Sequence, residues 1–230
     1  AATSQDYTHY YITTAPKDFA ALAPLQIDVV TNPRIPDEEF EREKLVVLEE
    51  IRRSQDSPQR RIYQQAIEVA FAKLPYRRSV LGPEAVIEGV TAQQMRYFHA
   101  THYQPTAMTA VAVGNLPVDE LINIVADGFA AQSGSLPAVN FMGKNSRPVP
   151  EPAFTRVVRQ EHIDPSLQQA RLIMVWRVPG SIDLVETYPL DILAAILGSG
   201  RTSRLVKELK EERQLANNIS FSNMSNRIQG

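Results

Sequence analysis

Residues 35–53 read IPDEEFEREKLVVLEEIRR, and the rest of the chain is arranged around them. Pro36 suits a first helical position, and Asp37, Glu38 and Glu39 follow where the positive end of a helix favours carboxylates. Within this helix Phe40, Glu43, Val47 and Glu50 recur at intervals of three, four and three residues, which places them on one side of a 3.6-residue period. Two carboxylates thus share a stripe with a Phe and a Val. Leu45, Val46, Leu48 and Ile51 widen the apolar surface and predict a helix covered on more than one side. A carboxylate goes inside only when paired, hydrogen-bonded or bound to a metal. From spacing, two readings stand. Glu43 and Glu50 are rim residues paired with Arg42, Lys44 or Arg53, or they are a metal ligand and its supporting partner two turns apart.

Upstream, residues 2–14 are rich in Thr, Tyr and Ile and predict strand, broken by a turn near Gln5-Asp6. Pro16 opens a helix to about Val30, with Phe19, Leu22, Ile27 and Val30 inward and Pro24 inside it. Downstream, Ser57-Pro58 restarts a helix, LGPEAVIEG holds one short helical turn, and Thr91 to Gln94 is a capping-box signature. Met108 to Val113 predicts a strand, and a helix follows Leu116-Pro117 to Phe129. Residues 131–153 lose all period and are rich in Pro, Gly, Ser and Asn, as linkers are. Beyond them come predicted strands at 155–160, 170–178 and 219–222, with helices at 186–197 and 203–213. The order suits an α+β architecture of helices packed on a mostly antiparallel sheet, followed by part of a second, similar domain. The expected division is 1–137, a linker at 138–153, and 154–230.

At 230 residues, with 43% hydrophobic and 22% charged residues, the chain is long and apolar enough to bury a core. A net charge of -2 and no dense basic block argue against nucleic acid. Cysteine is absent, so disulfides and thiolate metal sites are excluded. No apolar run reaches membrane-spanning length. Both termini read as strand-like, which suggests a piece of a longer protein.

Five segments together carry a resemblance: AATSQDYTHYYI at 1–12, NPRIPDEEFEREKLVVLEEIRR at 32–53, LPYRRSVLGPEAVIEGVTAQQMRYFHATHYQP at 74–105, AVAVGNL at 110–116, and ILGSGRTSRLVKELKEERQLA at 196–216. In this order and spacing the chain resembles the pitrilysin or insulinase family of zinc metallopeptidases, especially bacterial two-domain members related to mitochondrial processing peptidase. The resemblance implies α+β half-units, and zinc held by an inverted His-x-x-Glu-His helix plus a distal glutamate. Glu50 resembles that distal ligand, and Glu43 the supporting carboxylate. The four histidines, His9, His99, His102 and His162, form no such motif. The resemblance would put it, with its general-base glutamate, before Ala1. This piece alone is therefore expected to be inactive and to hold no zinc, although the parent protein would use it.

The resemblance also makes Ala1, Ala2, Thr3 and Ser4 an edge strand that takes up extended substrate by main-chain pairing. It further implies an Arg and a Tyr, seven residues apart, that contact substrate. The matching positions are Lys210 and Asn217, and both depart. A homologous partner subunit in a dimer would supply the missing pair. His99 and His102 read as packing or surface residues, His9 as structural or substrate-facing, and His162 as a loop residue. The implied function is a zinc metalloendopeptidase acting on peptides or unfolded segments. The alternative is a non-catalytic, core-like or peptide-binding subunit of a peptidase complex. A bacterial protein, periplasmic or cytoplasmic, is expected.

Overall fold

The computed structural model describes residues 1–132 and 148–230. The chain is α+β and divides into two compact units, Ala1–Arg53 with Val80–Lys144, and Ser54–Ser79 with Asn145–Gly230. Of the expected linker at 138–153, residues 138–147 lie outside the described residues, as do 133–137.

In the first unit, β1 (Ala2–Thr3) and β2 (Thr8–His9) form an antiparallel hairpin in which Ala2 faces His9 and Thr3 faces Thr8. The turn falls where Gln5-Asp6 predicts it. Ser4 N donates to Tyr7 O at 2.9 Å, and the Ser4 hydroxyl oxygen accepts from the Asp6 and Tyr7 amides. Helix α1 (Pro16–Thr31) has Pro16 in its first turn and carries Pro24 inside it. It packs on α6 (Val118–Gln132) at Gly128, where a Cβ would lie 2.7 Å from Ile27 Cδ1, so a larger residue there would have to displace the end of that side chain.

Helix α2 (Asp37–Asp56) buries Leu48 and Ile51. Leu45 and Val46 are 64% and 59% exposed, so its second apolar flank is open rather than covered as the sequence predicts. Three polar ties along α2 settle its rotation against α4 (Glu84–Gly89) and α5 (Ala92–His102). Arg96 donates to Ile35 O at 2.7 Å and to Asp37 Oδ1 at 2.8 Å, across a positive φ of 44° at Ile35. Lys44, its side chain only 14% exposed, reaches the carbonyls of Glu88 and Val90, the electronegative end of α4. Arg52 pairs with Glu84 at the other end of α4, at 3.3 Å. Helix α5 opens with the capping box expected from Thr91 and Gln94.

The second unit is built on α3 (Pro58–Ala70), which is capped by Ser57. Its core is Ala70, Phe71, Leu74, Tyr76 and Ile228, with Phe71 edge-on to Tyr76 at 5.6 Å between centroids. The Tyr76 hydroxyl oxygen accepts from the Ile228 amide at 2.8 Å. Glu151 is buried beside this core. Its carboxylate accepts from the amides of Ala72, Lys73 and Leu74 at 2.9, 2.6 and 2.8 Å. It also pairs with buried Arg177 at 2.9 Å. Arg177 donates to Ala70 O and Pro152 O and lies over the Phe154 ring. Gln229 closes the arrangement by exchanging two hydrogen bonds with the Glu151 backbone.

Helix α7 (Leu184–Gly198) is capped by Asp183. Just before it, Gly180 touches the C-terminal segment so closely that a Cβ would lie 2.3 Å from the Ile228 carbonyl carbon. The obstacle is backbone and cannot rotate away. Gly180→Ala is expected to cost about 1–3 kcal/mol, the usual cost of overpacking, read as a lower urea midpoint.

The strand predictions at 108–113, 155–160, 170–178 and 219–222 are corrected by the structure. Among the described residues these segments form no ladder. Val178 alone is paired, exchanging both backbone bonds with Gly230 at 3.0 Å beside the Pro179–Gln229 bridge. Val111 and Leu172 are 82% and 83% exposed. Branched and aromatic composition measures fitness for a pleated, half-buried surface, and a strand exists only where a second strand pairs with it. The helix expected at 203–213 is a π-helix over Val206–Glu212. Its ion pairs, Lys207–Glu212 and Glu208–Arg213, have the i, i+5 spacing of that winding.

Candidate functional site

Helix α2 has six glutamates. Glu38 and Glu39 pair with Arg42, Glu41 with Lys44, and Glu49 with Arg53. Glu43 and Glu50 are exposed and have no hydrogen bond or ion pair among the described residues. The rim reading named Arg42, Lys44 and Arg53 as their partners, yet each of those cations is engaged with another glutamate. Phe40 and Val47, on the same stripe, are half-buried. Two helical turns separate the two carboxylates by about 10.5 Å along the axis, on a flank whose rotation the Arg96, Lys44 and Arg52 ties hold. Glu43 and Glu50 are thus free oxygen donors on a fixed helix.

A carboxylate on a rigid helix suits zinc, and an outer carboxylate suits the task of orienting a ligand. The donor set is nevertheless incomplete. Among the described residues no group of three His, Cys, Asp or Glu side chains could hold a metal ion. The exposed carboxylate of Glu50 has the chemistry of a single zinc ligand, and the described residues do not supply a whole site.

At the hairpin, β1 is bonded only to β2, and its other edge makes no backbone hydrogen bond among the described residues. Ala1, Ala2, Thr3 and Ser4 are all exposed. The hairpin is held from behind by Tyr10, whose hydroxyl meets that of Tyr103 at 3.0 Å. Burial, then the bond to Tyr103 and its proximity, pushes the Tyr10 phenol up to about 12. His99 stacks on Tyr103 at 4.5 Å and its Nε2 contacts Val30 O at 2.8 Å. It therefore serves as a packing residue, while His102 lies against Phe98 at 4.4 Å. His9 sits between the rings of Tyr7 and Tyr11, and His162 is exposed in a loop.

In the second unit Lys210 lies on the exposed side of the π-helix and Asn217 is exposed beyond it. Between them Gln214 takes a φ of 51°, in the left-handed region. Neither Lys210 nor Asn217 has a hydrogen bond or ion pair among the described residues. Glu151 and Arg177 escaped the sequence reading. The one available signal was a lone acid among prolines, PVPEPA at 148–153, which offers no period to place it.

Comparison with known proteins decides the family. Residues 1–84 match the model described as insulinase (peptidase family M16), and residues 89–230 match that of the peptidase M16 inactive domain. The chain belongs to the M16 peptidase family. Two M16-like domains therefore lie in tandem. An uncharacterized zinc protease of Mycobacterium tuberculosis is 30% identical over 95% of this chain and 49% of its own length. One from Mycobacterium leprae is 28% identical over 95% and 48%. A zinc protease of Helicobacter pylori is 25% identical over 97% and 50%. These relatives are bacterial, as the resemblance implied, and the M16 chain spans about half the length of each. The fold is shared with a protease structure from Helicobacter pylori, at a TM-score of 0.69 and 22% identity over 94% of this chain and 52% of that one. It is also shared with a putative M16-like peptidase from Alicyclobacillus acidocaldarius, at 0.63 and 21% over 92% and 50%. No helix among the described residues is long and apolar enough to cross a membrane.

Proposed function

We propose that this M16 chain is part of a zinc metalloendopeptidase that hydrolyses peptides or unfolded segments. The observation that carries the reading is that Glu43 and Glu50 alone, of the glutamates on α2, are exposed and unpaired. Glu50 would contribute one oxygen to the metal, and Glu43 would hold the site from two turns away. The family's His-x-x-Glu-His segment, absent from this sequence, would add two imidazoles and the general base. When bound, such a zinc activates water and polarises the scissile carbonyl. The open edge of β1 would align the peptide by main-chain pairing, a mode that tolerates many sequences.

A second reading has its own support. Lys210 and Asn217 replace an Arg and a Tyr, and Lys lacks the planar fork that grips a carbonyl or carboxylate. A homologous partner subunit would then complete the substrate contacts, or the protein would be a non-catalytic member of a peptidase complex. Metal removal separates these. Dialysis of the full-length protein against a chelator is expected to abolish hydrolysis of a quenched fluorescent peptide, and added zinc to restore it. A protein with neither zinc nor activity, alone or with its partner, would be the non-catalytic subunit.

A further inference from the structure

The two faces of the hairpin differ. On one, Thr3 and Thr8 share a hydroxyl hydrogen bond at 3.1 Å and Tyr10 is tied to Tyr103. On the other, alternation along an extended chain brings Tyr7, His9 and Tyr11 into a row. Centroid separations are 5.7 Å at both steps, with interplanar angles of 34° and 35°. Tyr7 and Tyr11 are 63% and 68% exposed. Such rings in series leave their outer faces to whatever lies alongside. The register supplies the rest: Ala2 stands directly opposite His9, so the strand beside the open edge meets a single methyl group in front of the rings.

We infer that the Tyr7–His9–Tyr11 row, with Ala2 as the gap before it, selects an aromatic or large aliphatic side chain in the bound peptide. This rests on the edge-strand reading of β1 given above. A peptide strand pairing with β1 lies about 4.8 Å beyond it. Its residue facing Ala2 projects to the same side as Ala2 and His9. His9 lies on the strand one spacing further on, so only a ring or other long side chain that leans over the Ala2 methyl approaches His9 or its tyrosine neighbours. A small side chain spans no such distance. A Lys side chain meets these rings only through an exposed cation–π contact, with no carboxylate from these three residues, and buries less apolar area than a ring does.

The test is binding to the full-length protein, with chelator present to stop hydrolysis. The probes are fluorescein-labelled ten-residue peptides of Ala, Ser and Thr carrying one central Phe, Leu, Lys or Ala. The Phe peptide is expected to bind roughly five- to tenfold more tightly than the Ala peptide. That preference should vanish in His9→Ala and Tyr11→Ala, return in His9→Phe, and persist in Tyr97→Ala, a change at an exposed ring on α5. His9 and Tyr11 are exposed, so truncating either leaves no buried cavity, and circular dichroism of each variant checks that it folds. Equal binding of all four peptides, preference for Lys, or preference surviving both alanine variants overturns the inference and leaves the edge-strand reading intact. No binding by any peptide overturns both.

Discussion

Glu50→Gln in the full-length protein is expected to lose its zinc and to reduce peptide hydrolysis to background. The amide keeps the volume and one carbonyl oxygen of the side chain but loses the negative charge that makes carboxylate a competent zinc ligand. Glu50 is exposed and has no partner among the described residues, so the change leaves no buried group unsatisfied and the helix has no reason to unfold. Glu43→Gln should be milder: loss of an outer-shell partner typically costs 10–100-fold in metal affinity or activity. Glu49→Gln is the control, one position away on the same helix. It disturbs only an exposed pair with Arg53, worth about 0–1 kcal/mol at most, and should retain both zinc and activity. Metal content by atomic absorption, turnover of a fluorescent peptide and thermal unfolding of the three variants decide the matter. Retention of stoichiometric zinc by Glu50→Gln sinks the ligand assignment.

The largest effect on stability is expected at Glu151. Burial by itself would raise the pKa of this carboxyl, but three amide donors at residues 72–74 and the Arg177 guanidinium outweigh it and hold the group down to about 2, against 4.5 when unperturbed. Glu151→Gln leaves Arg177 buried without its counter-charge and offers only one oxygen to the three amides. Breaking a buried pair in this way costs about 3–5 kcal/mol, which a urea midpoint at pH 7 reads directly. Replacing both partners, as Glu151→Leu with Arg177→Met, should cost less than the sum of the single changes, since no charge is then stranded. The pH dependence follows from the depressed pKa. The folded state binds this proton less readily than the unfolded state, so the stabilisation is fully present above pH 4.5 and is lost as pH falls from 4.5 toward about 2. The Gln variant should lack that component of the acid transition. A midpoint within about 0.5 kcal/mol of the parent, the range of ordinary surface changes, would show that the carboxylate carries no such weight.

The helices were legible because their signals are local. Pro16, Ser57-Pro58 and the Thr91–Gln94 box satisfy helix starts with residues only a few positions away, and α1, α3 and α5 begin there. The Glu43–Glu50 stripe was legible for the same reason, since seven residues return a helix to nearly the same face. The ladders were not, because a strand's hydrogen bonds belong to another segment and composition does not name it. Glu151 was illegible for a related reason: its donors lie about 78 residues back along the chain, and nothing beside it in sequence marks it as buried. Sequence alone determined the family, the helix starts, the spacing of the two glutamates and the absence of the His-x-x-Glu-His motif. Tertiary structure decided which edge of β1 is open and which carboxylate is buried. Both depend on which segments the fold brings together, and nothing beside either site in sequence names those segments, whereas the glutamate pairs on α2 form between residues three or four positions apart.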